Sequence, residues 1–289
     1  MTARAATLIG LTAILMWSLL SVMTVATGLI PPFQLMAMSF AIGAVASLAV
    51  RPRAWRAWKQ RWPAALVGIG GLFGYHALYF VALRLAPPAE AGLLNYLWPL
   101  LIVLFSALLP GERLRPHHVV GALLGLAGTI LLLAGQIELT MSSAAFAGYL
   151  AALAAAFVWA GYSVLSRRIK DVPTDAVAFY CAVTAVLAFL VHRACELPVW
   201  PAGPLAWVAI AALGLGPVGA AFFAWDVGMK RGDIRVLGAA SYATPLLSTG
   251  FLILAGYTQP STHIALAAAL IAGGGLIAAK DMVSGRGSG

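Results

Sequence analysis

Ten apolar runs, each long enough to cross a bilayer, follow one another along this chain and are joined by short polar or basic connections. A helix needs about 20 mostly apolar residues to span the hydrocarbon core. Because backbone polar groups must pair with one another in lipid, such runs are expected to be helical. The sequence therefore predicts an all-α membrane protein with ten transmembrane helices. Their predicted residues are 5–26, 33–50, 63–84, 90–109, 118–136, 145–166, 175–192, 203–229, 234–256 and 263–280.

Composition excludes the ordinary soluble classes. The chain is 62% hydrophobic and 9% charged, whereas soluble domains carry about 25% charged residues. The net charge of +9 would suit a nucleic-acid partner only if the basic residues shared one face, but they lie in the connections between apolar runs. We therefore predict a multi-pass protein in contact with membrane lipids and without a nucleic-acid partner.

The basic residues also indicate an orientation, because cytoplasmic loops of membrane proteins are enriched in Lys and Arg. With the N-terminus inside, 16 of the 18 basic residues fall on the inner side, and only Arg84 and Arg193 fall outside. Both termini are then predicted to be cytoplasmic. The basic segment 51–62 contains three tryptophans and fits either an amphipathic element on the inner membrane surface or a charged loop.

Two apolar runs are interrupted at matching places. Pro99 lies within the fourth run, in the stretch 95–100, and Pro245 lies 146 positions later within the ninth run. Proline removes a helix hydrogen bond and kinks or breaks a helix. The freed backbone groups must then find partners within the protein or face a wet cavity. We predict that Pro99 and Pro245 are hinges beside a binding site.

Other residues repeat with a similar spacing. Tyr96 corresponds to Tyr242 at the same offset of 146, and Trp17 corresponds to Trp159 at an offset of 142. Since five helices are an odd number, two five-helix repeats have opposite orientations in the membrane. We predict an inverted repeat that forms one compact membrane unit, with halves at residues 1–137 and 138–289.

The side chains beside the first break suit a planar, partly polar small molecule. Asn95 offers an amide, Tyr96 a phenol and Trp98 an indole. Farther back, His76 is the most central readily ionisable residue, and Tyr79 shares its helix face. An ionisable residue inside the membrane is a candidate functional residue. Three roles are open to His76: binding a substrate carboxylate, relaying a proton, or hydrogen bonding to a neighbouring helix.

Aromatic residues at mid-helix positions are further candidates. Trp17 and Trp159 lie far from the helix ends where interfacial tryptophans belong. They either pack a core between helices or form a shared cavity wall, which Tyr162 would extend by one turn. Trp225 occupies the position that matches Tyr79 at the offset of 146.

Other patterns favour structural roles. Asp226 stands four residues before Lys230, and we predict an ion pair there in preference to a coupling-ion site. Glu90 and Glu112 are expected to be solvated. The small residues of the fifth and tenth runs predict close helix packing, or else a dimer face. No nucleophile elbow, metal-binding cluster, phosphate loop or paired central carboxylates stand out. We therefore predict no enzyme activity, no metal and no cofactor.

Ten helices in two inverted repeats resemble the drug/metabolite transporter superfamily in its EamA branch. The run Asn95-Tyr96-Leu97-Trp98-Pro99 resembles the corresponding stretch of YddG-type aromatic amino-acid exporters. This resemblance implies export of aromatic amino acids, and of aromatic cationic drugs such as viologens, across the bacterial inner membrane. For the mechanism we predict alternating access, in which the two repeats rock about the central site. It also implies a central cavity between helices 1, 3, 4, 6, 8 and 9. The site would draw on Trp17, His76, Tyr79, Tyr96, Trp98, Trp159, Tyr162, Trp225 and Tyr242, to which the residue chemistry adds Asn95.

Three other functions remain open at this point: a carrier of another small metabolite, an intramembrane or lipid-handling enzyme, and a structural scaffold. Substrate competition separates the first from an aromatic exporter. The second requires a polar catalytic constellation at one depth, where only His76 is centrally placed. Proton coupling and the oligomeric state are not predicted.

Overall fold

The fold is helical throughout the residues that the structure, a computed structural model, describes, namely 1–134, 142–256 and 259–283, and no β-strand occurs among them. Within these ranges nine helices are long and apolar enough to cross a membrane, and a shorter apolar helix of 17 residues stands at the tenth predicted place. We number them α1 to α10 in chain order: Ala3–Ala26, Pro32–Val50, Trp62–Leu85, Pro88–Ser106, Pro116–Leu133, Ser143–Arg168, Ala176–Cys195, Pro204–Arg231, Ile234–Leu254 and Thr262–Ala278.

Every predicted run overlaps one of these helices, and the predicted helix ends lie close to the observed ones. The length of each helix follows from the length of its apolar run, which the sequence shows directly. The predicted end of the fifth helix at residue 136 and the predicted boundary between halves at 137/138 lie outside the described residues.

Both predicted breaks are present. Helix α4 consists of two pieces, Pro88–Asn95 and Trp98–Ser106, and α9 consists of Ile234–Ala240 and Ala243–Leu254. Each second piece begins at or just before the residue preceding its proline, because proline is tolerated in the first turn of a helix but not in its interior. Helix α1 is also interrupted, at Leu19.

A second pair of irregularities was not expected from the sequence. Helix α3 contains a π-helical turn at Gly70–Gly74, and α8 contains one at Gly216–Ala220, again 146 positions later. A π turn inserts extra backbone into an α-helix and rotates the residues that follow it. Both turns directly precede side chains of the central cavity described below.

Small residues hold the helices close together. A methyl group at Gly121 of α5 would lie 2.5 Å from the carbonyl oxygen of Gly274 in α10, so these helices touch through their backbones. In the same way, a methyl group at Gly228 of α8 would lie 2.8 Å from the Cα of Gly10 in α1. The prediction of close packing is confirmed for Gly121, Gly125 and Gly128 of α5 and for Gly274 of α10, whereas an added methyl group at Gly273 or Gly275 would meet nothing within 4 Å.

Segment Pro52–Lys59, between α2 and α3, is a short 3₁₀ helix. Its Ala54 and Ala57 are buried, while Trp55 and Trp58 are half exposed. This division into a buried face and an exposed face fits the amphipathic interpretation of the segment in preference to a charged loop.

Asp226 and Lys230 form the predicted ion pair, with the Lys230 Nζ 2.9 Å from the Asp226 Oδ2. Both side chains are buried, and the Thr174 hydroxyl donates a further hydrogen bond of 2.7 Å to the same carboxylate. A buried carboxylate is tolerated when it is paired and hydrogen bonded in this way.

The prediction that Glu90 and Glu112 are solvated is wrong. Glu90 is 5% exposed, in the first turn of α4, where the positive end of the helix dipole favours an acidic side chain. Glu112 lies in the connection after α4 and is paired with Arg167 at 2.6 Å. Sequence position suggested a free loop residue, whereas the folded chain brings a guanidinium to it.

Candidate functional site

A cavity of about 240 Å³ lies among α1, α3, α4, α6, α8 and α9. These six helices are the ones expected from the family resemblance. The residues that line the cavity are Trp17, Leu20, Ser21, Tyr75, His76, Tyr79, Asn95, Tyr96, Trp98, Trp159, Phe222, Thr244 and Ser248.

The break in α4 places three of the predicted residues in the wall. Asn95 ends the first piece of this helix, Tyr96 lies in the turn, and Trp98 begins the second piece. A continuous helix would spread these positions around its circumference. Seven of the ten predicted residues line the cavity: Trp17, His76, Tyr79, Asn95, Tyr96, Trp98 and Trp159.

Indole rings form the centre of the wall. Trp17 and Trp159, which match in the repeat, meet edge to face with ring centroids 5.5 Å apart and planes at 76°. Trp98 meets Trp159 at 6.3 Å and 84°. Edge-to-face contacts are favourable because the positive edge of one ring faces the negative face of the other. Each ring is therefore held in place by its neighbours.

Trp17 is also fixed by a hydrogen bond. Its indole Nε1 donates to the carbonyl oxygen of Pro217 at 3.0 Å. Pro217 lies within the π turn of α8, where the regular pattern of helix hydrogen bonds is disturbed. The π turn thus has a direct role in positioning a cavity residue.

His76 faces an apolar neighbourhood. Its Nδ1 lies 2.6 Å from the carbonyl oxygen of Leu72, so this nitrogen carries a proton and donates it. Its ring lies edge-on to Phe40 at 5.3 Å and to Phe222 at 6.1 Å. Of the three roles that the sequence left open, the observed contact is a hydrogen bond to its own helix, while the ring also lines the cavity.

Three predicted residues lie outside the wall. Trp225 stands behind Trp17 at 5.1 Å and donates a hydrogen bond of 3.1 Å from its indole nitrogen to the Ser163 hydroxyl. Tyr162 stands behind Trp159, with ring centroids 5.3 Å apart. Both residues support the rings that face the cavity.

Tyr242 has a different neighbourhood from its repeat partner Tyr96. It is fully buried and packs against α5, where a methyl group at Gly125 would lie 2.5 Å from its ring. Tyr96 borders the cavity. The two matching breaks therefore place their tyrosines differently, and the cavity is not symmetric.

Six lining residues were absent from the predicted site. Phe222 carries a signal in the sequence, because it matches His76 at the offset of 146, and Thr244 matches Trp98 in the same way. Tyr75 precedes His76. Ser21 matches Ser163 at the offset of 142, and no pattern singles out Leu20 or Ser248.

The cavity is displaced toward the predicted outer side. Ser21 and Ser248 stand on the later halves of α1 and α9, which run toward that side, and their hydroxyls are hydrogen bonded at 2.7 Å. On the other side of the indole layer, Trp225 is fully buried and Tyr162 is 4% exposed. These large side chains separate the cavity from the predicted inner end.

Charged residues close the predicted inner end, and we call four of them the inner cluster: Glu112, Arg167, Asp233 and Arg235. The Glu112 carboxylate lies 2.6 Å from Arg167 and 3.5 Å from Arg235. Arg235 also meets Asp233 at 3.1 Å. Arg167 donates to the carbonyl oxygen of Gly232 at 2.8 Å. The cluster therefore ties the end of α4 to the end of α6 and the start of α9.

The Asp233 carboxyl remains ionised within this cluster. Burial raises its pKa, but hydrogen bonds from Arg235 and from the Val236 backbone outweigh that effect, so the pKa lies below its usual range. Asp233 also caps α9, with its side chain accepting from the first backbone N–H groups.

A group of three possible metal ligands, His117, His118 and Asp281, stands at the predicted inner end and away from the cavity, with ligand atoms within 4.8 Å of one another. Asp281 is distant from the two histidines in the sequence, so no motif predicts this group. Arg115 already meets the Asp281 carboxylate at 2.7 Å. A competing guanidinium on the one acidic ligand disfavours a cation there.

Known proteins agree with this architecture. The model of the EamA-like transporter family matches residues 4–134 and 146–280, once for each half. This chain belongs to the EamA-like transporter family. The suspected resemblance is thereby confirmed, and the chain is a multi-pass protein of the bacterial inner membrane, from a family of transporters rather than enzymes.

Among similar proteins is an aromatic amino acid exporter, YddG, of Ancylobacter novellus, which is 55% identical over 96% of this chain and 98% of its own length. The YddG of Salmonella typhimurium is 29% identical over 88% of this chain and 89% of its own. A crystal structure with 55% sequence identity superposes with a TM-score of 0.91 over 96% of this chain and 98% of that one.

Proposed function

We propose that this protein exports aromatic amino acids across the inner membrane. The observation that carries this proposal is the central cavity, whose wall is built from the indole rings of Trp17, Trp98 and Trp159. No Asp, Glu, Lys or Arg occurs among its lining residues in the described chain. Offset and edge-on contacts with such rings favour an aromatic ligand. The similarity to exporters of aromatic amino acids supports the same substrate class.

The proposed topology has ten membrane spans and two cytoplasmic termini. The halves, residues 1–137 and 138–289, are inverted with respect to each other. The distribution of basic residues supports this orientation. The matching breaks and the matching π turns support the repeat.

The proposed transport mechanism is alternating access, in which the two repeats rock about the central cavity. In this proposal the described conformation is the outward-directed state, and the displacement of the cavity toward the predicted outer side supports that assignment. Opening toward the cytoplasm then requires the inner cluster to separate and Trp225 and Tyr162 to move. The breaks at Pro99 and Pro245 are where α4 and α9 bend.

The test is counterflow of labelled phenylalanine into liposomes that contain the purified protein. We expect saturable exchange that tryptophan competes. Trp98→Ala removes one indole face, worth about 1 kcal/mol beyond its area, so it should weaken exchange about fivefold or more. Trp200→Ala is the matched control, since Trp200 is 73% exposed and lies outside the cavity.

Equal loss of exchange in both tryptophan variants would mean that the effect is not specific to the cavity. An absence of phenylalanine exchange from folded wild-type protein would remove the substrate assignment and leave a carrier of another small metabolite. Size-exclusion chromatography of each variant establishes that the protein is folded.

Aromatic cations, including viologen-like compounds, are a second candidate cargo. The faces of Trp17, Trp98 and Trp159 attract cations. The lining contains no carboxylate to pair with a permanent positive charge. These compounds are therefore tested as competitors in the same assay. We expect them to compete more weakly than the amino acids do.

A further inference from the structure

Asn95 is the only asparagine in the chain, and it lies in the cavity wall. The residue is 4% exposed. The amide Nδ2 donates to the Tyr75 hydroxyl oxygen at 3.1 Å. The amide Oδ1 accepts no hydrogen bond from any described residue. A buried carbonyl oxygen without a partner is unfavourable, so a ligand that donates to it gains affinity.

The Tyr75 hydroxyl complements this free acceptor. A phenol both donates and accepts, and here its oxygen accepts from Asn95. Its own proton is then available as a donor. Thr244, on the opposite break, also lines the cavity, and its Oγ1 is buried without a hydrogen-bond partner among the described residues.

The helix ends at the two breaks reinforce these side chains. Asn95 is the last residue of the piece Pro88–Asn95, whose C-terminal end carries a partial negative charge. Thr244 stands in the first turn of the 12-residue piece Ala243–Leu254, whose N-terminal end carries a partial positive charge. At each break the other helix piece contributes an end of opposite sign, at Trp98 and at Ala240, so the dipoles reinforce Asn95 and Thr244 only locally.

We propose that the cavity recognises the zwitterionic end of an amino acid through neutral dipoles, with Asn95 as the residue that determines specificity. The Asn95 Oδ1 accepts from the α-ammonium group of the substrate. The hydroxyls of Tyr75 and Thr244 donate to its α-carboxylate. The indole rings contact the aromatic side chain. This inference rests on the proposed function.

Neutral dipoles suit a transporter that must release its cargo. A buried salt bridge to substrate would leave an unpaired charge in the membrane interior once the substrate leaves. An amide and two hydroxyls leave no such charge. The proposed site therefore distinguishes a zwitterion from an amine or an acid without storing a charge between transport cycles.

The experiment compares three inhibitors of phenylalanine counterflow: phenylalanine itself, phenethylamine, which lacks the carboxylate, and 3-phenylpropionate, which lacks the ammonium group. Asn95→Leu removes the acceptor. We expect it to weaken inhibition by phenylalanine and phenethylamine about tenfold or more, because a hydrogen bond to a charged group is lost. Inhibition by 3-phenylpropionate should change little.

Asn95→Asp and Thr244→Val are the second and third variants. Asn95→Asp places a carboxylate beside the ammonium group, so phenethylamine should become a stronger inhibitor than phenylalanine. Thr244→Val removes a hydroxyl with little change of shape. It should weaken inhibition by phenylalanine and by 3-phenylpropionate but not by phenethylamine. Ser106→Ala is the control, because Ser106 is buried outside the cavity and its hydroxyl bonds to its own helix at Val103.

The proposal is overturned if Asn95→Leu weakens 3-phenylpropionate rather than phenethylamine, or if none of the variants changes the order of the three inhibitors. Should Asn95→Leu fail to fold, Asn95→Asp and Thr244→Val still decide between these outcomes. Wild-type protein that exchanges no phenylalanine contradicts the proposed function instead, so the two failures are distinguishable.

Discussion

The buried indole of Trp225 shows how single hydrogen bonds maintain the cavity. Its ring supports Trp17 at 5.1 Å and Trp98 at 6.0 Å. The nitrogen of this fully buried indole donates to the Ser163 hydroxyl at 3.1 Å. Lipid and apolar side chains accept no hydrogen bond, so the Trp225 N–H depends on this hydroxyl.

Ser163→Ala should therefore destabilise the protein. Removing the acceptor leaves a buried donor unpaired, which costs about 1–3 kcal/mol. We expect a lower midpoint of thermal unfolding in detergent, measured by loss of the monodisperse peak. Ser166→Ala is the matched control on the same helix, because Ser166 is equally buried but only donates to the Tyr162 carbonyl of its own helix. Similar midpoints for the two variants would contradict the role given to Ser163.

At the level of residues, the sequence identified most of the cavity wall. It did not show which aromatic residues face the cavity and which lie behind the wall. Trp17 and Trp159 were predicted from their mid-helix positions and Trp98 from its place beside the break, and all three line the cavity. Tyr162 was predicted one turn after Trp159, and Trp225 at the repeat position of Tyr79, yet both stand one layer behind. A helix presents aromatic residues on several faces, and which face meets the cavity depends on helix rotation, which neighbouring helices set.

Among the helices, the π turns have the greatest influence on the site. The turn in α3 directly precedes Tyr75 and His76, and the turn in α8 holds the carbonyl that accepts from Trp17. Within the α3 turn, Gly71 has no room for a side chain, because a methyl group there would lie 2.3 Å from the Tyr162 ring.

Gly71→Ala should displace Tyr162 and, through it, Trp159. Overpacking of this kind costs about 1–3 kcal/mol, so we expect both a lower unfolding midpoint and weaker phenylalanine counterflow. The adjacent Gly70 meets nothing within 4 Å of an added methyl group. Gly70→Ala should therefore be tolerated, and equal damage from both substitutions would show that the turn, not the ring contact, is sensitive.

The helices themselves were predictable and the π turns were not. Apolar length specifies where a helix crosses, and Pro99 and Pro245 specify two breaks, because proline lacks the N–H of a helix interior. The π turn at Gly70–Gly74 contains no proline. In the sequence, its glycines cannot be told apart from the packing glycines of α5. The contact between Gly71 and Tyr162 becomes visible only in the structure.

For the whole molecule, the arrangement of charge indicates which end is closed. The inner cluster joins both halves of the chain through Glu112 and its two arginines. On the predicted outer side, the Glu196 carboxylate forms an ion pair with Arg84 at 2.7 Å. The same carboxylate accepts hydrogen bonds from the backbone N–H groups of Phe33 and Gln34. That outer group holds α2, α3 and α7 together, and none of its members lines the cavity.

Glu112→Gln should favour the state that opens to the cytoplasm. Arg167 and Arg235 would lose the negative charge of the Glu112 carboxylate. A partly exposed ion pair contributes about 1 kcal/mol. We expect labelling of Ser166→Cys by N-ethylmaleimide to become about fivefold faster. The background carries Cys195→Ala, because Cys195 is exposed and Cys181 is buried.

Asp171→Asn provides the comparison for this experiment. It breaks an ion pair with Arg61 at 2.9 Å in which the two side chains are 61% and 74% exposed. A pair so exposed contributes little to any conformational equilibrium. If Asp171→Asn accelerates labelling as much as Glu112→Gln, the inner cluster has no special part in closure.

The paired π turns also bear on ancestry. A π turn at the same place in both halves is simplest if a single ancestral half already contained it before gene duplication. Two such halves in opposite orientation would have enclosed a cavity with two-fold symmetry, in which every side chain occurred twice. The present chain has Asn95 where the other half has Ser241, and His76 where the other has Phe222. An amino acid has no two-fold axis, so a cavity that tells its ends apart had to become asymmetric after the halves were joined.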